Sequence, residues 1–166
     1  MFGQLMEARD GNRNFMFSYA LCCRKLGEHD EAKKVLFRLV YEHPDDREAS
    51  IMLASMLFLD GKTEDAFKRV ERMLDKGLDN GARKELFVVR SLCLLALNRR
   101  DEAVECYARS IGEFKEYKYS NLYQQVNGDI KHNLEEYRHS LEQLGVDDKL
   151  LALFIYKVYK QVKARE

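Results

Sequence analysis

The chain has 166 residues with one proline and no tryptophan, and its 28 basic and 28 acidic side chains give a formal net charge of zero. This balance favours neither nucleic acid nor a strongly charged protein as partner. No apolar run reaches the length of a membrane span, and the start has no basic segment followed by an apolar core. We therefore expect a soluble, cytoplasmic protein that contacts no membrane.

A short motif occurs three times along the chain. The segment LGEHDEA ends at Ala32, LDGKTEDA ends at Ala66, 34 residues later, and LNRRDEA ends at Ala103, a further 37 residues on. A period of this length, built from two amphipathic helices, is typical of a helical repeat array. Each copy also has Gly27, Gly61 or Asn98 where a first helix would end. The small alanine that ends each motif should be buried where two helices cross.

The pattern resembles the tetratricopeptide repeat (TPR) family over roughly residues 13–112, and in particular the C-terminal part of a longer bacterial TPR protein. The resemblance implies an all-α, right-handed superhelix of about three helical hairpins, followed by C-terminal capping helices. Its expected units are the end of a preceding or truncated repeat helix at 1–12, repeats at 13–46, 47–82 and 83–116, and degenerate capping helices at 117–166. An ordinary capping helix at the start is the alternative to a truncated repeat.

The periodicity predicts helices over 13–26, 30–42, 47–60, 63–76, 83–97 and 100–115, then irregular helices to about residue 163. In this last region Asn127 and Gly128 interrupt the apolar pattern, so we expect a helix to begin at Asp129. Gly145 should end that helix and Asp147 should cap the last one. The apolar spacing predicts that the first of these helices is continuous and that the last one has a buried stripe. The apolar positions of the first helix are Ile130, Leu134, Tyr137, Leu141 and Leu144, and those of the last are Leu151, Phe154, Ile155, Val158, Tyr159 and Val162.

Catalytic or metal chemistry has no clear support in the sequence. Cys22, Cys23, Cys93 and Cys106 match no zinc-binding spacing and are expected to be buried, reduced thiols. His132, Glu136 and His139 could share one helix face, but a solvated face explains them. No phosphate loop or nucleophile motif occurs. We therefore expect no enzyme activity, no cofactor and no metal site.

The resemblance also implies that the first helix of each repeat lines a concave groove. In this chain the groove positions are largely apolar. The predicted partner-binding residues are Phe17, Leu21, Ile51, Met52, Ser55, Phe58, Val88, Val89 and Leu92. The TPR subclass that clamps a C-terminal carboxylate uses lysine, asparagine and arginine at five positions that here hold Phe17, Leu21, Met52, Glu85 and Val89. Recognition of such an acidic tail is therefore not expected.

Two occupants of this groove remain open at the level of sequence. One is an apolar or amphipathic segment of a partner protein, and the other is the chain itself, through its C-terminal helices or by self-association. The expected function is a non-catalytic protein–protein interaction scaffold or adaptor. The alternative is a regulatory TPR domain of a larger enzyme, or a protein of the secretion-chaperone type.

Overall fold

The structure is a computed structural model that describes residues 9–75, 80–114 and 121–165. These ranges are helical throughout apart from short connections, and they contain no strand. The helices are α1 (Arg9–Lys25), α2 (His29–Glu42), α3 (Arg47–Leu59), α4 (Thr63–Leu74), α5 (Asn80–Ala96), α6 (Arg100–Phe114), α7 (Leu122–Leu134), a 3₁₀ turn (Glu135–Tyr137), α8 (Arg138–Gln143) and α9 (Asp148–Ala164). None of them combines the length and apolar character needed to cross a bilayer.

The turns after α1, α3 and α5 share one backbone geometry. Gly27, Gly61 and Asn98 all have positive φ angles, of 79°, 81° and 61°. In each turn the residue that follows donates its N–H to a carbonyl five residues earlier, as in the 2.8 Å bond from Glu28 to Cys23. This Schellman arrangement satisfies helix-end carbonyls and reverses the chain within three residues. The three repeated motifs therefore form three equivalent helical hairpins.

The hairpins pack closely because small residues lie where helices cross. Ala32, Ala66 and Ala103 have no solvent exposure, as predicted, and Ala20 and Ala54 are buried in the same way. Small side chains permit the interhelical distances of about 8–10 Å that packed helices require. Each helix from α1 to α6 contacts the next along the chain, and α3 also contacts α5 directly.

The C-terminal helices cover the third hairpin, with Tyr107 of α6 at the joint. Its hydroxyl donates to Asp129 Oδ2 at 3.1 Å and accepts from Asn133 Nδ2 at 2.9 Å. Its ring packs edge-on against Phe154 of α9, with the centroids 5.9 Å apart. Both α7 and α9 are thereby attached to α6, and the apolar face of α6 is shielded from water.

Several sequence predictions for the terminal regions were wrong. Helix α1 begins at Arg9, four residues before the predicted start at residue 13, while residues 1–8 lie outside the described ranges. Helix α7 continues through Asn127 and Gly128 because Val126 and Ile130 are both buried against the core, which outweighs the roughly 1 kcal/mol helix penalty of glycine. The break falls instead at Glu135–Tyr137.

Other predictions for this region are confirmed. Gly145 ends α8 with a φ of 91°, and Asp147 caps α9 by accepting from the Leu150 N–H at 2.9 Å. The expected buried stripe of α9 is present at Phe154, Ile155, Val158 and Val162, whereas Leu151 and Tyr159 are half-buried. Leu144, expected on the apolar face of its helix, is exposed.

The cysteine prediction holds for three of the four thiols. Cys23, Cys93 and Cys106 are buried and free, whereas Cys22 is exposed. The reason is helical geometry: α1 buries Met16, Ala20 and Cys23, and a neighbouring residue points about 100° away. Burial, together with the nearby Cys106, raises the pKa of the Cys93 thiol to about 12.

Ala66→Leu is expected to destabilise the protein by about 1–3 kcal/mol, because the added atoms overpack the crossing of the middle hairpin. The free energy of unfolding in urea measures this loss. Ala152→Leu, on the exposed side of α9, is the matched control and should change stability little. Equal stability of the two variants would contradict close packing at Ala66.

Labelling of the native protein with a thiol reagent should modify Cys22 rapidly and the three buried cysteines only on unfolding. Mass spectrometry of the labelled peptides against time measures the four rates. A Cys22→Ser variant should lose the fast phase alone. Rapid modification of Cys93 in the folded protein would contradict its burial.

Candidate functional site

Most of the predicted groove residues line one cavity of about 590 Å³ between α1, α3, α5 and the end of α7. Helix α3 supplies its centre, since it lies between the other first helices and contacts α5 directly. The predicted residues that line the cavity are Phe17, Ile51, Met52, Ser55, Val88 and Val89. They come from three helices that are distant in sequence, and the repeat packing brings them together.

Leu21, Phe58 and Leu92 were also predicted to line the groove, but they do not line this cavity. Phe58 and Leu92 have no solvent exposure, and Leu21 is half-buried. The ring of Tyr137, from the 3₁₀ turn, packs edge-on against Phe58 with the centroids 5.8 Å apart. This end of the groove is therefore closed by the chain itself.

A polar network around Arg24 holds Tyr137 in this position. The Tyr137 hydroxyl lies 2.5 Å from Ser55 Oγ, and the Arg24 guanidinium donates to both, at 3.3 Å and 3.0 Å. Arg24 Nε also donates to Glu136 Oε1 at 2.7 Å. Burial alone would lower the pKa of Arg24. The interactions of its guanidinium with Tyr137 and Glu136 outweigh burial, so the pKa of Arg24 is raised. Four polar side chains thus satisfy one another at the closed end.

Sequence reasoning missed the role of Tyr137. The apolar spacing of this segment correctly predicted that the side chain is buried, but it assigned Tyr137 to the core face of a continuous helix. Nothing local shows that the segment crosses the groove, 82 residues beyond Ser55 in the chain. A buried tyrosine needs a partner for its hydroxyl, and this requirement is the one available signal.

The mouth of the cavity carries charges of both signs. Besides Arg24 and Glu136 at the closed end, the polar side chains that line the cavity are Glu48, Lys84, Glu85, His132 and Asn133. Arg13 donates to Glu48 at 3.3 Å and lies 4.6 Å from the centre of the Phe17 ring. Since several of these charges are already paired, the mouth offers little net charge to a ligand.

The arrangement offers an apolar floor with a polar rim and little that would support metal binding. Within residues 9–75, 80–114 and 121–165, no three His, Cys, Asp or Glu side chains are grouped to hold a metal ion. His132 and Glu136 both line the cavity, whereas His139 contacts Gln143 at 3.0 Å. Chemically, this geometry suits the burial of apolar groups.

Tyr137→Ala is expected to lower the free energy of unfolding by about 3 kcal/mol or more, because a buried ring is removed from Phe58. Tyr137→Phe keeps the ring and loses only the hydroxyl contacts, so its cost should be about 1 kcal/mol. Urea denaturation followed by circular dichroism measures both. Similar midpoints for Tyr137→Ala and the wild type would show that the segment does not close the groove.

Comparison with known proteins does not identify the chain. No family model, no curated protein sequence and no solved structure matches it. Its function has to be inferred from the residues and geometry described above.

Proposed function

We propose that the helical hairpins form a right-handed TPR-type superhelix. Two observations support this assignment beyond the sequence period. The three hairpin turns share one Schellman geometry, at Gly27, Gly61 and Asn98. In addition, α3 contacts α5, so the first helices of the second and third hairpins are neighbours, as stacking of repeats in sequence order requires.

The function we propose is that of a non-catalytic protein-interaction scaffold that binds one apolar face of a partner's amphipathic helix. The observation that carries this proposal is the apolar floor of Ile51, Met52, Val88 and Val89 at the base of a cavity of about 590 Å³. A helix-in-groove complex places apolar side chains, spaced three and four residues apart, into such a depression. The volume falls within the range of about 300–1,000 Å³ common for ligand pockets.

The closed end restricts the length of the occupant. Tyr137 covers the groove beyond Ser55, so a partner helix has access only to the part near Phe17 and Val88. We therefore propose that two or three apolar side chains enter the cavity while the rest of the partner stays outside. Glu85 at the mouth disfavours a carboxylate placed beside it.

Selection from a displayed library of amphipathic helical peptides tests the proposal. The selected peptides should carry apolar residues at helical spacing and should shift the NMR signal of the Met52 methyl group. Met52→Glu should weaken their binding at least about tenfold, because the floor then contains a carboxylate that the apolar side chain would desolvate. Met52→Leu preserves the apolar character and should bind within a few-fold of the wild type.

Two further measurements separate this proposal from others. Raising salt from about 0.05 to 0.5 M should change the affinity little, because few ion pairs form across the mouth. Salt-sensitive capture of acidic C-terminal tails would contradict the proposal. A second contradicting result has three parts: the library yields no helical binder, the wild-type protein sediments as a dimer, and the Met52→Glu variant is monomeric. The groove would then be covered by a second copy of the chain.

A further inference from the structure

A second cavity of about 490 Å³ lies between the α2–α3 turn and α4, and it shares no lining residue with the groove. Helix α4 contributes Arg69 and Arg72 to its wall, and α3 contributes Arg47 and Ser50. Val40 of α2, Met73 of α4 and residues 44–46 of the α2–α3 turn complete the lining. This cavity has no role in the proposed binding of a partner helix.

Arg69 and Arg72 lie three residues apart on α4, so both guanidinium groups reach the same side of the helix. In the part of the chain that the structure describes, neither forms an ion pair with a carboxylate. Arg69 is half-buried, and its nearest aromatic contact is the Phe37 ring, 6.0 Å from the guanidinium carbon. Burial, together with repulsion from Arg72, lowers the pKa of Arg69. Two adjacent cations that form no ion pair favour an anion.

Ser50 adds a hydrogen-bond donor to the same cavity. It is only 6% exposed, and its hydroxyl makes no hydrogen bond to any described residue. The hydroxyl oxygen is not sealed off from solvent and lines the cavity, so it is free to donate to a ligand there. Ser50 also lies in the first turns of α3, which runs from Arg47 to Leu59, where the helix dipole is positive.

Two carboxylates border the cavity, and their charges do not cancel those of the arginines. Asp46 is already occupied: its oxygens accept from Arg13 at 2.5 Å and 2.8 Å and from the Ala49 N–H at 3.1 Å. The hydrogen bond from Arg13 lowers the pKa of Asp46, so the carboxylate stays ionised and paired. Asp45 is exposed, and its single negative charge is smaller than the two positive charges of Arg69 and Arg72.

We propose that this cavity binds a tetrahedral oxyanion of the phosphate type, held by the guanidinium groups of Arg69 and Arg72 and the hydroxyl of Ser50. Arginine is suited to this task because its planar fork donates two hydrogen bonds to neighbouring anion oxygens. The serine hydroxyl donates a third hydrogen bond and is thereby satisfied. Both free phosphate and a phosphorylated side chain have this chemistry.

NMR titration of the whole chain with sodium phosphate, against sodium chloride at the same ionic strength, tests the proposal. Phosphate should shift the Ser50 amide and the Nε–H signals of Arg69 and Arg72, and chloride should not. O-phosphoserine in a parallel titration distinguishes the sources: binding tighter than that of phosphate indicates a phosphorylated side chain. Weaker binding indicates the free ion.

Variants show whether the named residues hold the anion. The double change R69Q with R72Q should weaken phosphate binding at least about tenfold, because two charge-assisted hydrogen bonds are lost. The double change K34Q with K68Q removes the same charge from exposed residues outside the cavity and should leave the affinity within about twofold, the effect of screened surface charge. Ser50→Ala should weaken binding several-fold without the loss of packing that a change at Arg69 could cause.

Three results would overturn the proposal. The first is an equal response to phosphate and chloride. The second is wild-type affinity in the folded R69Q R72Q variant or in Ser50→Ala. The third is an equal loss in the K34Q K68Q control, which would assign the effect to overall charge. These outcomes do not depend on peptide binding at Met52, so the two proposals fail independently.

Discussion

The close crossing of helices at buried alanines is the constraint on which the rest of the structure depends. Ala32, Ala66 and Ala103 occupy the same place in successive hairpins and have no exposure. Each alanine follows, within the same short motif, a residue with a positive φ angle at which the chain reverses. One motif therefore determines both the turn and the helix crossing of its hairpin. A larger side chain at any of these positions would force the two crossing helices apart. The cavities between helices exist only while this spacing is kept.

Helix α3 shows how one element serves both candidate sites. It is buried from Ala49 to Phe58, so nearly all of its circumference touches other helices. Met52 and Ser55 face the groove, while Ser50 lines the cavity beside α4. A helix in this central position has little freedom to move, and both sites therefore have a rigid wall. Rigid walls lower the ordering cost of binding.

The C-terminal segment both shields the core and shortens the groove. Tyr107 attaches α7 and α9 to the third hairpin, and Tyr137 then reaches back to Ser55 and Phe58. The two occupants considered from sequence, the chain itself and a partner, are thus not exclusive. The chain fills one end, and the remaining cavity is available for the proposed partner. Arg24 helps to keep this end of the groove closed, because its hydrogen bond to Glu136 joins α1 to the 3₁₀ turn that carries Tyr137.

The sequence alone predicted the bounds of the helices from Arg47 to Ala96 to within a few residues. It also predicted the three turns and the buried alanines. These features depend on local periodicity and on residues with special backbone preferences. The sequence was less informative where burial against distant residues determines the local structure or the exposure of a side chain. Gly128 remains within α7, and Cys22 is exposed although it neighbours the buried Cys23. Six of the predicted groove residues do line one cavity, but only the tertiary structure shows that Tyr137 excludes Phe58 from it. The cavity lined by Arg69 and Arg72 is likewise visible only in the tertiary structure. Contacts between residues tens of positions apart depend on how the hairpins stack and where the C-terminal segment crosses them, and no local pattern encodes those distances.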